Sequence, residues 1–201
     1  MTDRLTLLAA DENVMRQAAV RFQELITMAA EVGAPLVTVG GFRGRLAWAG
    51  GTEARSILIR ALRDAAEFAT KRGVRLVLEP LNRYETDVLQ NVEQVLAFVN
   101  DVGCDNVGLL LDTFHANIEE PSLTECLRQG VQAGRLWHVH VGDSNRLAPG
   151  QGHLDFEKII ATLREVGYQG YVSAELLPQP DADTAAALTA RHMRKWLPAR
   201  N

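Results

Sequence analysis

The sequence predicts an α/β fold in which parallel strands alternate with helices, and two observations support this. Five short apolar runs lie along the 201-residue chain, and longer stretches with helical periodicity separate them. The strand ends fall near Gly40, Glu79, Asp112, His140 and Glu175, at intervals of 39, 33, 28 and 35 residues, which is about one strand–helix unit each. Strands joined through helices in this way make right-handed crossovers in a parallel sheet. This regularity is typical of a (β/α) barrel or of a doubly wound sheet.

The predicted strands are fewer than a closed barrel needs. A TIM (β/α) barrel has eight strands and typically about 250 residues. Leu5–Ala9 is the only candidate for a sixth strand. We therefore expect an incomplete TIM barrel with five or six of the eight strands. The five apolar runs are Leu36–Val39, Leu76–Leu78, Val107–Leu111, Leu136–Val141 and Tyr171–Leu176.

The predicted helices have recognisable starts and ends. Asp11 can cap the first helix, and Gly33 ends it. A glycine also follows each of the next three helices. No linker or low-complexity segment interrupts the chain, so we expect a single domain over residues 1–201. The five helices are Val14–Val32, Thr52–Arg72, Val92–Val102, Phe156–Val166 and Thr184–Leu197.

The composition argues against several classes of protein. Hydrophobic residues make up 47% and charged residues 23%, which is ordinary globular usage, and the net charge of −4 disfavours a nucleic-acid partner. No apolar run approaches the 18 residues of a membrane span, and the short apolar stretch near the N-terminus does not resemble a secretory signal. Cys104 and Cys126 fit neither a disulfide scaffold nor a C-x-x-C metal site. We therefore expect a cytoplasmic protein without a membrane partner.

Four of the five strands end in a polar side chain that can bind a metal: Glu79, Asp112, His140 and Glu175. Side chains alternate across a strand, so each of these residues shares a face with the residue two positions before it. If that face looks into the barrel, three carboxylates and an imidazole converge at the carboxyl ends of the strands, where such barrels hold their active sites. An acid after a strand is often only a turn or cap residue, but four such coincidences predict a site.

The ligand types indicate the metal. Three oxygens and one nitrogen suit a hard or borderline divalent cation such as Mn²⁺, Mg²⁺ or Co²⁺. His138 and His140 point to the same face, but only His140 reaches the end of the strand. We expect His138 to be a buried, hydrogen-bonded histidine or a group just beyond the ligands. No Gly-rich phosphate-binding motif follows any strand, which disfavours nucleotide binding.

Four segments resemble a known family. LEPLNRYET, LDTFHANIEE, HVHVGDSNRLAPGQGHL and SAEL are similar to the ketose 3-epimerase branch, of the D-tagatose and D-psicose 3-epimerase type, of the xylose-isomerase-like TIM-barrel sugar isomerases and epimerases. The resemblance covers most of residues 12–176, and DTFHANIEE with GDSNRLAPGQG is specific to a narrow group. Members normally begin about 70 residues earlier, with the first three barrel strands, so we expect this chain to lack that part of the barrel.

The resemblance implies a set of site residues. In this family a Mn²⁺, Co²⁺ or Mg²⁺ ion is held by Glu, Asp, His and Glu, of which the first and last are also the two catalytic bases. The implied metal ligands here are Glu79, Asp112, His140 and Glu175, with Glu79 and Glu175 as the bases. The implied contacts to sugar oxygens are Glu85, His115 and Arg146.

The implied chemistry explains these residue types. Removing a proton next to a sugar carbonyl creates an enediolate, and a bound divalent ion stabilises its charge. Epimerisation at one carbon needs a base on one face and an acid on the other, which Glu79 and Glu175 can supply. We therefore predict metal-dependent C3 epimerisation of a free ketose. The alternatives are an aldose–ketose or hydroxypyruvate-type isomerase, a catalytically impaired truncated barrel, and an endonuclease IV-like nuclease, which five histidines and the net charge disfavour.

Other interpretations remain open for three residues, and the incomplete barrel has a consequence for assembly. Glu85 can be a helix-entry acid, His115 a packed loop residue and Arg146 a solvated surface residue. Five or six parallel strands leave two sheet edges without partners. We therefore expect a homodimer or higher homo-oligomer, in which Leu5–Ala9 or Leu36–Val39 meets the partner chain.

Overall fold

The computed structural model describes residues 5–49 and 53–196. The chain divides into two compact units, Met1–Leu109 and Leu110–Asn201. Five strands, in chain order in the sheet, are found in the described residues, and the boundary between the units falls within β3. The strands are β1 Leu36–Val39, β2 Arg75–Leu78, β3 Val107–Asp112, β4 Leu136–Val141 and β5 Tyr171–Ala174. The helices are α1 Glu12–Glu31, α2 Leu46–Ala49, α3 Ala54–Thr70, α4 Val92–Val102, α5 Thr113–Glu119, α6 Leu123–Gln132, α7 Phe156–Glu165 and α8 Ala182–Met193.

The first unit is built on β1, β2 and the first half of β3. β1 and β2 pair in parallel from Leu36↔Arg75 to Val39↔Leu78, and β2 pairs in parallel with β3. The last three residues of β2 are fully buried, as expected for a strand of a parallel sheet with both faces covered. Its apolar run is therefore continuous rather than alternating. The large, fully buried side chains of this core include Phe22, Ile26, Leu58, Leu62 and Phe98.

The helix limits in this unit follow the sequence signals. The Asp11 carboxylate accepts a hydrogen bond from Asn13 N at 2.7 Å and starts α1 as predicted. α4 begins and ends where the sequence predicts, because the Asn91 side chain caps it and Gly103 takes the left-handed conformation after it. α3 ends at Thr70, and its predicted start, Thr52, lies outside the described residues.

The second unit contains the end of β3, followed by β4 and β5. β4 and β5 pair in parallel from His138↔Tyr171 to Val141↔Ala174. β5 stops two residues before its predicted end because its partner β4 ends at Val141. α7 and α8 lie where the sequence predicts helices, although the predicted end of α8, Leu197, lies outside the described residues.

Two helices between β3 and β4, α5 and α6, were not predicted from the sequence. The signal for α6 is present as S-x-x-E, because Ser122 Oγ accepts a hydrogen bond from Glu125 N at 3.3 Å. α5 begins directly at the end of β3, with Asp112 as its cap. An apolar pattern only seven residues long gave no clear period for that helix.

The candidate for a sixth strand, Leu5–Ala9, forms no strand, so the lower of the two expected strand numbers holds in the described residues. Leu7 N and Leu8 N donate to the carbonyl oxygens of Phe42 and Arg43 at 3.0 and 3.1 Å, and both leucine side chains are buried. These carbonyls belong to the 3₁₀ turn Gly41–Arg43 rather than to a strand, so no ladder can form. Among the helices of the described residues, none is long and apolar enough to cross a membrane.

Candidate metal centre

Asp112 is the last residue of β3, and the two oxygens of its carboxylate have different contacts. Oδ1 accepts hydrogen bonds from Phe114 N at 2.7 Å and from His115 N at 3.2 Å, and so caps α5. Oδ2 lies 4.0 Å from His140 Nδ1. The residue is only 2% exposed. The helix cap therefore fixes the carboxylate and leaves one oxygen turned toward His140.

His140, in the last paired part of β4, lies beside Glu175, which directly follows β5. Glu175 N donates to Val141 O at 3.2 Å, which extends the ladder by one step, and His140 Nδ1 lies 2.7 Å from Glu175 Oε2. The hydrogen bond from His140 lowers the pKa of Glu175 to about 2, despite the opposing effect of burial. One ligand atom from each of Asp112, His140 and Glu175 lies within 4.8 Å of the others. Two carboxylates and an imidazole at this spacing fit a divalent cation.

Arg146 reaches the same place from the loop after β4. Its Nη2 lies 3.2 Å from Glu175 Oε1, and its guanidinium stands 5.1 Å from the centre of the Phe114 ring. The main chain at Arg146 is left-handed, with φ of +61°. Arg146 N donates to Asp143 O at 2.8 Å, and Leu177 N donates to Arg146 O at 2.7 Å. The backbone is thus held on both sides of the residue whose side chain reaches Glu175.

Asp143 organises that loop from inside. Its side chain is fully buried, and the carboxylate accepts hydrogen bonds from Ser144 N at 2.8 Å, Gly150 N at 2.7 Å and Leu154 N at 3.0 Å. Burial raises the pKa of the Asp143 carboxyl, but the backbone N–H groups lower it more, so it stays below its usual range. A Cβ on Gly152 would collide with this carboxylate. Asp143 was not among the residues predicted from the sequence, because its partners are main-chain N–H groups.

Two further histidines border these residues. His115 is 1% exposed, and its ring lies 5.2 Å from the Phe114 ring. His138 is half-buried; its Nε2 lies 2.8 Å from Ser173 Oγ and its ring 5.0 Å from the His140 ring. The contact with Ser173 agrees with the expectation of a hydrogen-bonded histidine at position 138, although the side chain is only half-buried.

Glu79 and Glu85 belong to the first unit. Glu79 follows β2 and is 4% exposed, and its N–H donates to Val39 O at 3.3 Å. Its Oε2 would lie 2.9 Å from a Cβ at position 40, so Gly40 leaves room for the carboxylate. Glu85 is exposed, and its Oε1 accepts a hydrogen bond from Asn82 Nδ2 at 3.3 Å. The carboxylate of Glu85 therefore lies in an exposed loop rather than in the core.

Parallel strands that alternate with helices, and that carry acids and a histidine at their carboxyl ends, define the class of (β/α) proteins whose site lies at that end of the sheet. A family model described as "Xylose isomerase-like TIM barrel" matches residues 3–197, and the chain belongs to this family. Five strands in the described part of the chain are fewer than the eight of a closed barrel, so the expected incomplete barrel is confirmed there.

Curated relatives and solved structures agree with this family. A D-psicose 3-epimerase from Agrobacterium fabrum is 41% identical over 117 residues, which cover 58% of this chain and 40% of the relative. An L-ribulose 3-epimerase from Mesorhizobium japonicum is 44% identical over 115 residues, which cover 57% of this chain and 38% of the relative. The match thus spans less than half the length of these relatives. A structure of D-allulose 3-epimerase from Methylomonas sp. with D-allulose has a TM-score of 0.84 and 22% identity, covering 96% of this chain and 74% of that one, and shares the fold.

Proposed function

We propose that this protein is a metal-dependent epimerase that inverts C3 of a free ketose. The observation that carries the proposal is the cluster of Asp112, His140 and Glu175, whose ligand atoms lie within 4.8 Å of one another. Arg146, held against Glu175 at 3.2 Å, adds a cation that can bind a sugar oxygen. The relatives named above are 3-epimerases of D-psicose and L-ribulose, which supports a ketose as the substrate.

The metal we propose is one divalent cation, Mn²⁺ first and Co²⁺ or Mg²⁺ next, held by Glu79, Asp112, His140 and Glu175. Three carboxylates and one imidazole are donors that suit such an ion. The position of Asp112 Oδ2, 4.0 Å from His140 Nδ1, and the ionised state of Glu175, whose pKa is lowered to about 2, support the fit. When bound, the ion supplies a Lewis acid that stabilises negative charge on oxygens beside the reacting carbon.

The two glutamates divide the proton transfer. One takes the proton from C3, the electron pair of the broken C–H bond moves toward the C2 carbonyl, and the enediolate forms. The other glutamate, on the opposite face, returns a proton to C3 and inverts it. Arg146, His115 and Glu85 hold the C1–C2 end so that C3 lies between the two bases. Each glutamate must be well placed, because a carboxylate is a weak base for a proton on carbon.

Isotope exchange and metal content test this proposal together. The purified protein should contain one divalent ion per chain, and a ketose panel with Mn²⁺ in D₂O should give C3 epimers that carry deuterium at C3. Glu175→Gln should lower turnover at least 100-fold, while Glu165→Gln, which removes an exposed partner of Arg128, should change little. Product without deuterium would mean a hydride shift. Aldose–ketose interconversion would mean that C1 and C2 are presented instead.

We also propose that the protein is a single domain, lies in the cytoplasm and forms a homodimer or higher homo-oligomer. A homodimer or higher homo-oligomer is supported by β5, which has one strand neighbour and whose Tyr171 is 59% exposed. A cytoplasmic location is supported by the free thiols of Cys104 and Cys126. The match of one family model to residues 3–197 supports a single domain. Light scattering after size exclusion tests the assembly, and a monomer with full turnover would contradict it.

A further inference from the structure

The first unit contains an arginine with no exposed surface. Arg43 ends the 3₁₀ turn after β1, and its side chain is 0% exposed. The five N–H groups of the guanidinium make six contacts of 2.8–3.4 Å, all with main-chain carbonyl oxygens, so Nη1 shares a hydrogen between two of its three acceptors. These oxygens belong to Val39, Gly40, Glu79, Val88 and Leu89.

The buried charge is costly, so its presence needs a reason. Desolvation lowers the pKa of Arg43 to about 10, with Glu79 and Asp87 opposing the shift. The group is therefore still charged at neutral pH, and it donates the hydrogen bonds that a buried cation needs. Apolar residues of similar volume often hold a core equally well, which makes fold stability a weak explanation for such a charge.

Arg43 contacts carbonyl oxygens at both ends of the loop 80–87 and at the end of the neighbouring strand, β1. Nη1 donates to Glu79 O at 2.8 Å, where the loop 80–87 begins, and Nε and Nη2 donate to Val88 O, where it ends. Nη1 also donates to Gly40 O at 3.1 Å. Gly40 is the residue against which the Glu79 carboxylate packs. Arg43 thus fixes the main chain of Glu79, the wall beside its carboxylate, and the loop that carries Glu85.

We infer that Arg43 is a positioning residue that sets the Glu79 carboxylate for metal binding and proton transfer. The inference rests on the proposed function, since it gives Glu79 those two roles. Only a planar fork with five N–H donors can reach all these carbonyls from one point. A lysine ammonium has three donors at a single atom and cannot span them.

The test compares variants of the full chain by Mn²⁺ affinity and by kinetics. Arg43→Lys keeps the charge without the fork, and Arg43→Gln removes the charge but keeps an amide N–H donor. Both should weaken Mn²⁺ binding at least 10-fold in titration calorimetry, and kcat should fall more than KM rises. The control is Arg63→Lys, because Arg63 also donates to two main-chain carbonyls, those of Val102 and Asp101, in the same unit. It should keep wild-type affinity.

The possible outcomes distinguish a failure of the proposed function from a failure of the inference about Arg43. A wild-type protein that binds no Mn²⁺ contradicts the proposed function. A wild type that binds Mn²⁺ while folded Arg43 variants bind it equally well overturns the inference alone. If circular dichroism shows that neither variant folds, Arg43 serves the fold, and the inference is overturned as well.

Discussion

Replacing Asp143 by Asn removes the charge at the centre of the loop after β4 and keeps the side-chain shape. Oδ1 accepts from Ser144 N and Leu154 N, and Oδ2 accepts from Gly150 N. An amide has only one oxygen, so its NH₂ must face at least one of these N–H groups. Losing one hydrogen bond to a buried charge, and weakening two more, costs about 3 kcal/mol of unfolding free energy. Asp143→Asn should therefore be strongly destabilised at pH 7.

Urea unfolding at a series of pH values measures this loss and its sign. The pKa of Asp143 is lowered in the folded protein, so the ionised form adds stability above the unfolded pKa of about 3.9. That contribution disappears as the pH falls through the folded pKa, so wild type and variant should converge in acid. Asp155→Asn is the matched control, because Asp155 is an exposed cap of α7 and Asn caps equally well. Equal stability of wild type and Asp143→Asn at pH 7 would refute the reasoning.

Three further results are expected from other parts of the molecule. Leu58→Ala, at a fully buried position, should lose about 2–5 kcal/mol in thermal unfolding, and Val20→Ala, at a site 58% exposed, should lose far less. Chelation by EDTA should lower the melting temperature of the wild type, since an ion at 100 times its Kd adds about 2.7 kcal/mol, but should not change that of His140→Asn. Arg146→Lys should raise KM for the ketose and leave Mn²⁺ affinity unchanged; an unaltered KM would contradict a substrate role for the guanidinium.

The sequence determines most of the secondary structure through local signals. α4 is predicted to the residue from its apolar pattern and from Gly103 at its end, and the structure adds the Asn91 cap at its start. Leu5–Ala9 is apolar enough for a strand, yet its N–H groups bond to a turn more than 30 residues away. An apolar pattern shows which side chains are buried, but it does not show which groups hydrogen-bond to the backbone N–H groups of the segment. That is why the buried segment is recognised and its conformation is not.

The strand-end residues are predictable for a similar reason. Asp112, His140 and Glu175 are found from alternation along parallel strands, and the structure brings these three side chains together. Their roles as ligands, and those of Glu79, Glu85, His115 and Arg146, stay predictions. Arg43 and Asp143 are not predictable from a pattern. Their partners are main-chain groups, and main-chain groups look the same in every sequence.

The left-handed backbone at Arg146 is a conformation that lowers stability when the residue is not glycine. A side chain at φ of +61° costs about 1 kcal/mol or more relative to glycine, and two hydrogen bonds hold the residue there. Gly or Asn at this position would relieve the strain and lose the cation beside Glu175. A library screened only for heat resistance should therefore accumulate them at position 146, whereas a screen for turnover should restore arginine. At position 146, substitutions that increase stability can therefore be distinguished from substitutions that increase turnover.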